Sequence, residues 1–278
     1  MALIENVADT ARWMAAYRAA ESARPDALFA DALAARLAGD RGRAMAADAP
    51  LAARGGWPWV TRARIIDDLV RESIAQGCDR VLNLAAGFDT RPFRLDLPAS
   101  LTWIEADLPE LMAEKERLLS GETPRCTLVR ESVDLADGAA RAALLQRSLQ
   151  GAASALVITE GLLGYLDEES VRALVRDLRA ARFWITDMAS PAMQRSTKAQ
   201  LRRQLTDAPL RFMGSEDGVA WFERLGWTAR DIRSVLREAR RFHRVPFFLL
   251  PIALLLREPD PRRLGRSRWY AVVRFERA

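Results

Sequence analysis

Apolar positions along this chain follow two alternating rhythms. Five short runs mix β-branched and aromatic residues over a strand's length and stop at a turn or an acid: DRVLNLAAG, LTWIEADL, TLVRESVD, ALVITEG and RFWITDM. Helical spacing fills the stretches between them. TRARIIDDLVRESIAQG precedes the first run, with Ile65, Ile66, Leu69, Val70 and Ile74 on one face and Gly77 at its end. LPELMAEKERLLSG follows the second run and LADGAARAALLQRSLQG the third. DEESVRALVRDLRAAR follows the fourth, opened by acids that suit a helix N-terminus. Such alternation predicts an α/β fold, a doubly wound parallel sheet with right-handed crossovers. SRWYAVVRFER, near the end, alternates as an antiparallel edge strand does.

Two regions stand outside this rhythm. Residues 1–60 hold helical pieces and a loop rich in Ala, Arg and Gly ending at GGWPW, which read as a helical cap. After RFWITDM the pattern gives a polar helix near residues 193–206 and a second helix at EDGVAWFERLGW. Between that helix and the last strand lies VPFFLLPIALLL, residues 245–256. Twelve residues with two prolines fall short of the roughly 20 that cross a bilayer, so the run reads as apolar wall or core of a lid, available to a hydrophobic ligand. No internal repeat or low-complexity linker divides the chain.

Composition changes this picture little. The net charge of +5 invites a polyanion partner, yet only Lys115 and Lys198 are lysines, and the many arginines are interleaved with 37 acids. That reads as solvated helix faces, with REARRFHR at residues 237–244 the one basic cluster, and a nucleic-acid partner is not expected. Cys78 and Cys126 have no metal-ligand spacing and the chain has one histidine, so no metal site is expected. Two thiols suit a reducing compartment, and MALIENVADTARW lacks a secretory apolar run; a cytoplasmic protein with no membrane partner is the expectation.

Ligands of doubly wound sheets bind at the carboxyl ends of the strands, near the point where strand order reverses. Here those ends read Ala85-Ala86-Gly87-Phe88-Asp89, Glu105-Ala106-Asp107, Asp134-Leu135 and Glu160-Gly161. Four successive tips each present a carboxylate. A pyrophosphate would be repelled, and the GxGxxG that lets backbone approach one is absent. A carboxylate after the second strand accepts ribose hydroxyls. A phosphate-free nucleoside carrying an amine and a sulfonium, S-adenosylmethionine, fits such a rim; the same acids could instead cap helices.

VLNLAAGFDTRPFRL, WIEADLPELMAEKERLL, VDLAD and ITEGLLGYLDEESV, in this order and spacing, resemble the leucine carboxyl methyltransferase-type branch of class I S-adenosylmethionine-dependent methyltransferases. The DTR after the first strand and the EGLLGYL after the fourth are its most distinctive parts. The resemblance implies a Rossmann-like, mostly parallel seven-stranded sheet with an antiparallel C-terminal strand. It also implies one domain over 1–278: a cap at 1–60, a cofactor-binding core at 61–189, a lid and acceptor region at 190–265 and a final strand at 266–278. By the same resemblance Arg62 grips the methionine carboxylate, helped by Arg18 of the cap. Ala85 and Gly87 line the turn under the methionine; the family usually has Gly where Ala85 stands. Asp107, or Glu105 beside it, binds the ribose. Asp134 and Leu135 embrace the adenine, and Glu160 sits near the amine and sulfonium. Plainer readings stand beside these. Arg62 could pair with Asp67 or another acid, and Asp89 with Arg91 to fix the loop. Tyr165 faces either an acceptor or the core, and His243 is catalytic or structural.

The expected reaction is O-methylation of a carboxylate or hydroxyl on an unidentified acceptor, a small molecule rather than a protein. A carboxylate acceptor needs no base; a hydroxyl would be helped by Glu160, Tyr165 or His243. Three rivals remain at this level. A nicotinamide dehydrogenase would need the missing glycines. A nucleic-acid methyltransferase would carry Asn/Asp-Pro-Pro-Tyr rather than EGLLGYL after the fourth strand. A non-catalytic protein could hold the cofactor as a ligand.

Overall fold

The computed structural model describes residues 7–49, 55–201 and 211–278. Two helices, α1 (Val7–Ser22) and α2 (Ala34–Ala47), the latter kinked at Gly39, form an N-terminal hairpin. The chain then enters α3 (Trp57–Ala75) through Gly56, whose φ of 65° and whose position against the Tyr17 ring leave no room for a Cβ. Strands and helices follow in alternation: β1 (Arg80–Leu84), the single turn α4 (Arg91–Arg94), β2 (Thr102–Asp107), α5 (Pro109–Leu118), β3 (Thr127–Ser132), α6 (Gly138–Leu149), β4 (Ala155–Thr159), α7 (Glu168–Asp177) and β5 (Phe183–Ala189). The last part holds α8 (Pro191–Leu201), α9 (Val219–Glu223), β6 (Trp227–Ser234), α10 (Val235–Arg241), α11 (Leu250–Leu255) and β7 (Tyr270–Arg277).

The seven strands form one sheet in the order β3-β2-β1-β4-β5-β7-β6, with β7 antiparallel to both neighbours and the other pairings parallel. Winding reverses between β1 and β4. Alternate residues feed two cores. Leu82, Leu84, Val157 and Trp184 face α6, α7 and α9, while Val81, Trp103, Leu156 and Ile185 face α3 and α10. Because α3 leads into the start of β1, it runs back along the sheet and sets its first turns over the carboxyl ends of the strands. Ion pairs tie the N-terminal hairpin down: Arg12 to Glu114 at 2.6 Å, Glu21 to Arg244 at 2.8 Å, and Thr90 Oγ1 donates to Asp31 at 2.6 Å.

Four expectations change. β7, expected at a sheet edge, is antiparallel but lies inside the sheet, paired with β5 on one side and β6 on the other. The helix expected at EDGVAWFERLGW is short, and Trp227 opens an edge strand within the stretch expected as lid. A bulge between Ala229 and Asp231 breaks its alternation, which hid it in the sequence. Arginines outside the candidate site, expected on solvated faces, are in several cases buried, Arg141, Arg244 and Arg274 among them. The run at 245–256, expected as wall or core, lies mostly outside. Phe247, Ile252, Leu254 and Leu255 are exposed and Ala253 is buried. The C-terminal part of the helix expected at 193–206, and residues 1–6 and 50–54 of the expected cap, lie outside the described residues.

Candidate active site

A cavity of about 790 Å³ opens at the carboxyl ends of the strands, where winding reverses. This is the size of a small-molecule site, about 300–1,000 Å³. Asp89 after β1, Asp107 at the end of β2, Asp134 past β3 and Glu160 after β4 all line it, and Asp187 of β5 adds a fifth carboxylate. Arg18, Arg62, Ala85, Gly87, Leu135 and Tyr165 line it too. His243 does not. It sits at φ 55° against a separate cavity of about 350 Å³, and Trp57 lines both. Glu105 is also elsewhere: one pleat deeper than Asp107 in β2, it is fully buried between Lys115 at 2.8 Å and Arg130 at 3.1 Å.

The rim divides into two electrostatic halves. Toward β4 and β5 the acids are neutralised by arginines. Arg62 Nε donates to Glu160 Oε1 at 2.8 Å, and its Nη1 to Asp187 Oδ2 and Tyr270 Oη at 3.0 Å each. Arg91 Nη1 donates to Glu160 Oε2 at 2.9 Å and to Asp89 Oδ2 at 2.8 Å, and its Nε to Asp67 at 2.8 Å. Asp67 is completed by Arg94, so it is not the partner of Arg62. Burial works against ionised Asp89, but Arg91, Lys115 and Arg94 outweigh it and hold the carboxyl down at about 2. Burial raises the Tyr270 phenol well above its ordinary value against the pull of Arg62; it stays neutral and donates to Asp187 at 2.9 Å. Breaking one member of such a lattice strands its partners as unpaired buried charge, a cost of about 3–5 kcal/mol.

Toward β2 and β3 the acids meet backbone alone. Asp107 accepts from Gly87 N at 2.7 Å and Leu108 N at 2.8 Å, one bond on each oxygen. Among the described residues it has no ion-pair partner, and burial raises its carboxyl above the usual range despite those two bonds. Each oxygen keeps a lone pair toward a hydroxyl. Asp134 accepts from Ala136 N at 2.9 Å, with Leu135 buried beside it. Asn83 Oδ1, on β1, lines the cavity buried and without a partner, an acceptor open to an ammonium. Arg18 donates to Asp31 at 2.9 Å and to the Phe88 carbonyl at 2.6 Å. Hydroxyl acceptors, an orphaned amine acceptor and arginine forks therefore meet without a phosphate cradle, as a phosphate-free aminoacyl nucleoside requires.

Part of the cavity lining is apolar. Trp13, Tyr17 and Trp59 pack with centroids 5.1–5.7 Å apart, and Met188, Phe212 and Leu256 line it too. Burial raises the Tyr165 phenol above its ordinary value, outweighing a hydrogen bond with Thr10 and the nearby Arg62. Asp187, Tyr270 and Asn83 are absent from the sequence-derived site. The strand-tip rule, carried on to RFWITDM, reaches Asp187. An antiparallel strand starts where parallel strands end, and this rule reaches Tyr270.

Residues 11–179 match the family described as leucine carboxyl methyltransferase. A relative from Parafrankia sp. (strain EAN1pec), provisionally named an S-adenosyl-L-methionine-dependent methyltransferase, is 32% identical over 254 residues, covering 84% of this chain and 82% of its own. One of the same provisional name from Frankia alni is 32% identical over 79% of this chain and 82% of its own length. A crystal structure from Thermobifida fusca, also provisionally named a methyltransferase, overlays 94% of each chain with a TM-score of 0.55 at 15% identity, a likeness of fold.

Proposed function

From the premise that this chain belongs to the leucine carboxyl methyltransferase family, we propose that it esterifies a carboxylate on an apolar small molecule. It is an S-adenosylmethionine-dependent methyltransferase with a Rossmann-like fold. In the proposed arrangement Asp107 accepts both ribose hydroxyls, Asp134 accepts from the adenine amine, and Leu135 packs on the base. Ala85 and Gly87 pass beneath the methionine. Arg62 and Arg18 face its carboxylate, and Glu160 and Asn83 its ammonium. The bound cofactor supplies a methyl group already activated on a sulfonium. What the chain's own side chains supply is alignment and exclusion of water, a contribution of about 7–11 kcal/mol where geometry is well held.

One observation favours a carboxylate over a hydroxyl: none of the three candidate bases is placed to take a proton. Glu160 is ion-paired through both oxygens with Arg62 and Arg91, and in the proposed arrangement it is turned to the ammonium. The Tyr165 phenol is held protonated by burial, and His243 faces another cavity. A carboxylate is ionised at neutral pH and attacks without such help. The apolar lining, with Trp13, Phe212 and Leu256, suits the body of a hydrophobic acid. The test uses cofactor labelled in its methyl group, the purified protein and a panel of aromatic and aliphatic acids and phenols. Labelled product that releases volatile methanol under mild alkali supports an ester. Alkali-stable label, the mark of an ether, overturns the carboxylate reading.

A further inference from the structure

Among the described residues, seven of the eight large hydrophobic side chains that stand exposed fall within ten positions: Phe247, Phe248, Leu250, Ile252, Leu254, Leu255 and Leu256. Pro246 and Pro251 bracket the entry to α11, and this short helix touches the body through Ala253, whose carbonyl accepts from Arg240 of α10 at 3.4 Å. The helix therefore offers apolar side chains on several sides. A protein groove covers one face of a helix; a projection apolar on several sides suits a medium it can sink into.

The charge around it points the same way. Residues 237–268 hold nine arginines against Glu238, Glu258 and Asp260, an excess greater than the +5 of the whole chain. Arg244 and Arg262 are taken up by acids of the body, and Arg241 reaches Glu238 at 3.3 Å. Arg237, Arg257, Arg263, Arg266 and Arg268 are exposed and make no ion pair among the described residues. An apolar projection flanked along the chain by free arginines matches the acyl boundary and headgroups of an anionic bilayer.

We propose that the segment 247–256 docks this protein on the surface of an anionic membrane. This is peripheral binding: no helix among the described residues is long and apolar enough to cross a membrane. The expectation of no membrane partner rested on the length of the apolar run, which bears on crossing a bilayer and not on docking to one. Leu256 and Arg257 also line the large cavity, so the docked face adjoins its mouth and a lipid-dissolved acceptor would enter from the bilayer side. The docking itself is independent of methyl transfer.

Sedimentation of the purified full chain with vesicles tests it. Pelleting with phosphatidylcholine mixed with phosphatidylglycerol, weaker with phosphatidylcholine alone and weakened by salt, is expected. Phe247→Ser with Leu255→Ser, and separately Arg237→Glu with Arg241→Glu, should each lower partitioning on the order of tenfold. All four positions are exposed and lie outside the cavity lining, so unchanged melting and cofactor binding show that the variants are intact. Full chain left in the supernatant with both vesicle types, or pelleting indifferent to both pairs of changes, overturns the proposal. So does a dimer in sedimentation velocity that Phe247→Ser with Leu255→Ser dissociates, which would assign the patch to a second copy.

Discussion

Ala85 holds φ at 55° in the turn after β1, in the left-handed region that disfavours a side chain by about 1–2 kcal/mol. The family resemblance sets glycine at that place, so the methyl group is a local departure carried by the surrounding fold. Ala85→Gly relieves the strain but loosens the unfolded chain, and a net gain of about 0.5–1 kcal/mol is expected in denaturant titration. Loss of stability on that change would remove the strain argument. Glu105 and Asp107 share one face of β2 and differ by one pleat, which was beyond the reach of sequence motifs. Asp107→Ala should weaken cofactor binding by about 1–3 kcal/mol in calorimetry and leave the fold intact. Glu105→Ala should instead cost about 3–5 kcal/mol of stability, because Lys115 and Arg130 are left facing each other in the interior. Equal effects of the two changes on affinity would contradict the separation.

Helix α6 is capped by Asp137, whose Oδ1 accepts from Ala139 N at 2.9 Å and Ala140 N at 3.1 Å. Asp137→Ala is expected to cost about 1 kcal/mol in denaturant stability without changing cofactor affinity. A loss of affinity would mean that α6 positions the cavity lining at Asp134 and Leu135 more directly than its packing indicates. At this scale five parallel strands, the last strand and the helices between them were legible, since strand length, helical period and turn residues agree there. β6 was not, because its bulge spoils the two-residue period and its outward residues are arginines of an edge. The run at 245–256 misled for a different reason. Hydrophobicity reports what would gain from burial, and the prolines and the short α11 keep this stretch on the outside.

For the whole molecule, cofactor and protons both act on stability. Binding to the folded state alone adds about 2.7 kcal/mol at a hundredfold excess over Kd, a shift of several degrees in melting, and Asp107→Ala should shrink it. With Asp89 at about 2 in the fold and about 3.9 when unfolded, its ionised form stabilises the protein by about 2.5 kcal/mol at neutral pH. A depressed carboxyl contributes fully above its unfolded value and loses that contribution as pH falls toward 2. The stability gap between wild type and Asp89→Asn should accordingly narrow between pH 4 and 2, and a constant gap would refute the assignment. The strand-tip acids were readable from sequence one at a time. Their division into an arginine-locked half and a backbone-held half depends on which side chains converge from α3, α4 and β7, and no local pattern carries that. The aromatic part of the cavity lining has a consequence for redesign. Trp13, Tyr17 and Trp59 meet one another ring against ring, outside the arginine–carboxylate lattice, so they can be recut to change what the cavity accepts while that lattice is left untouched.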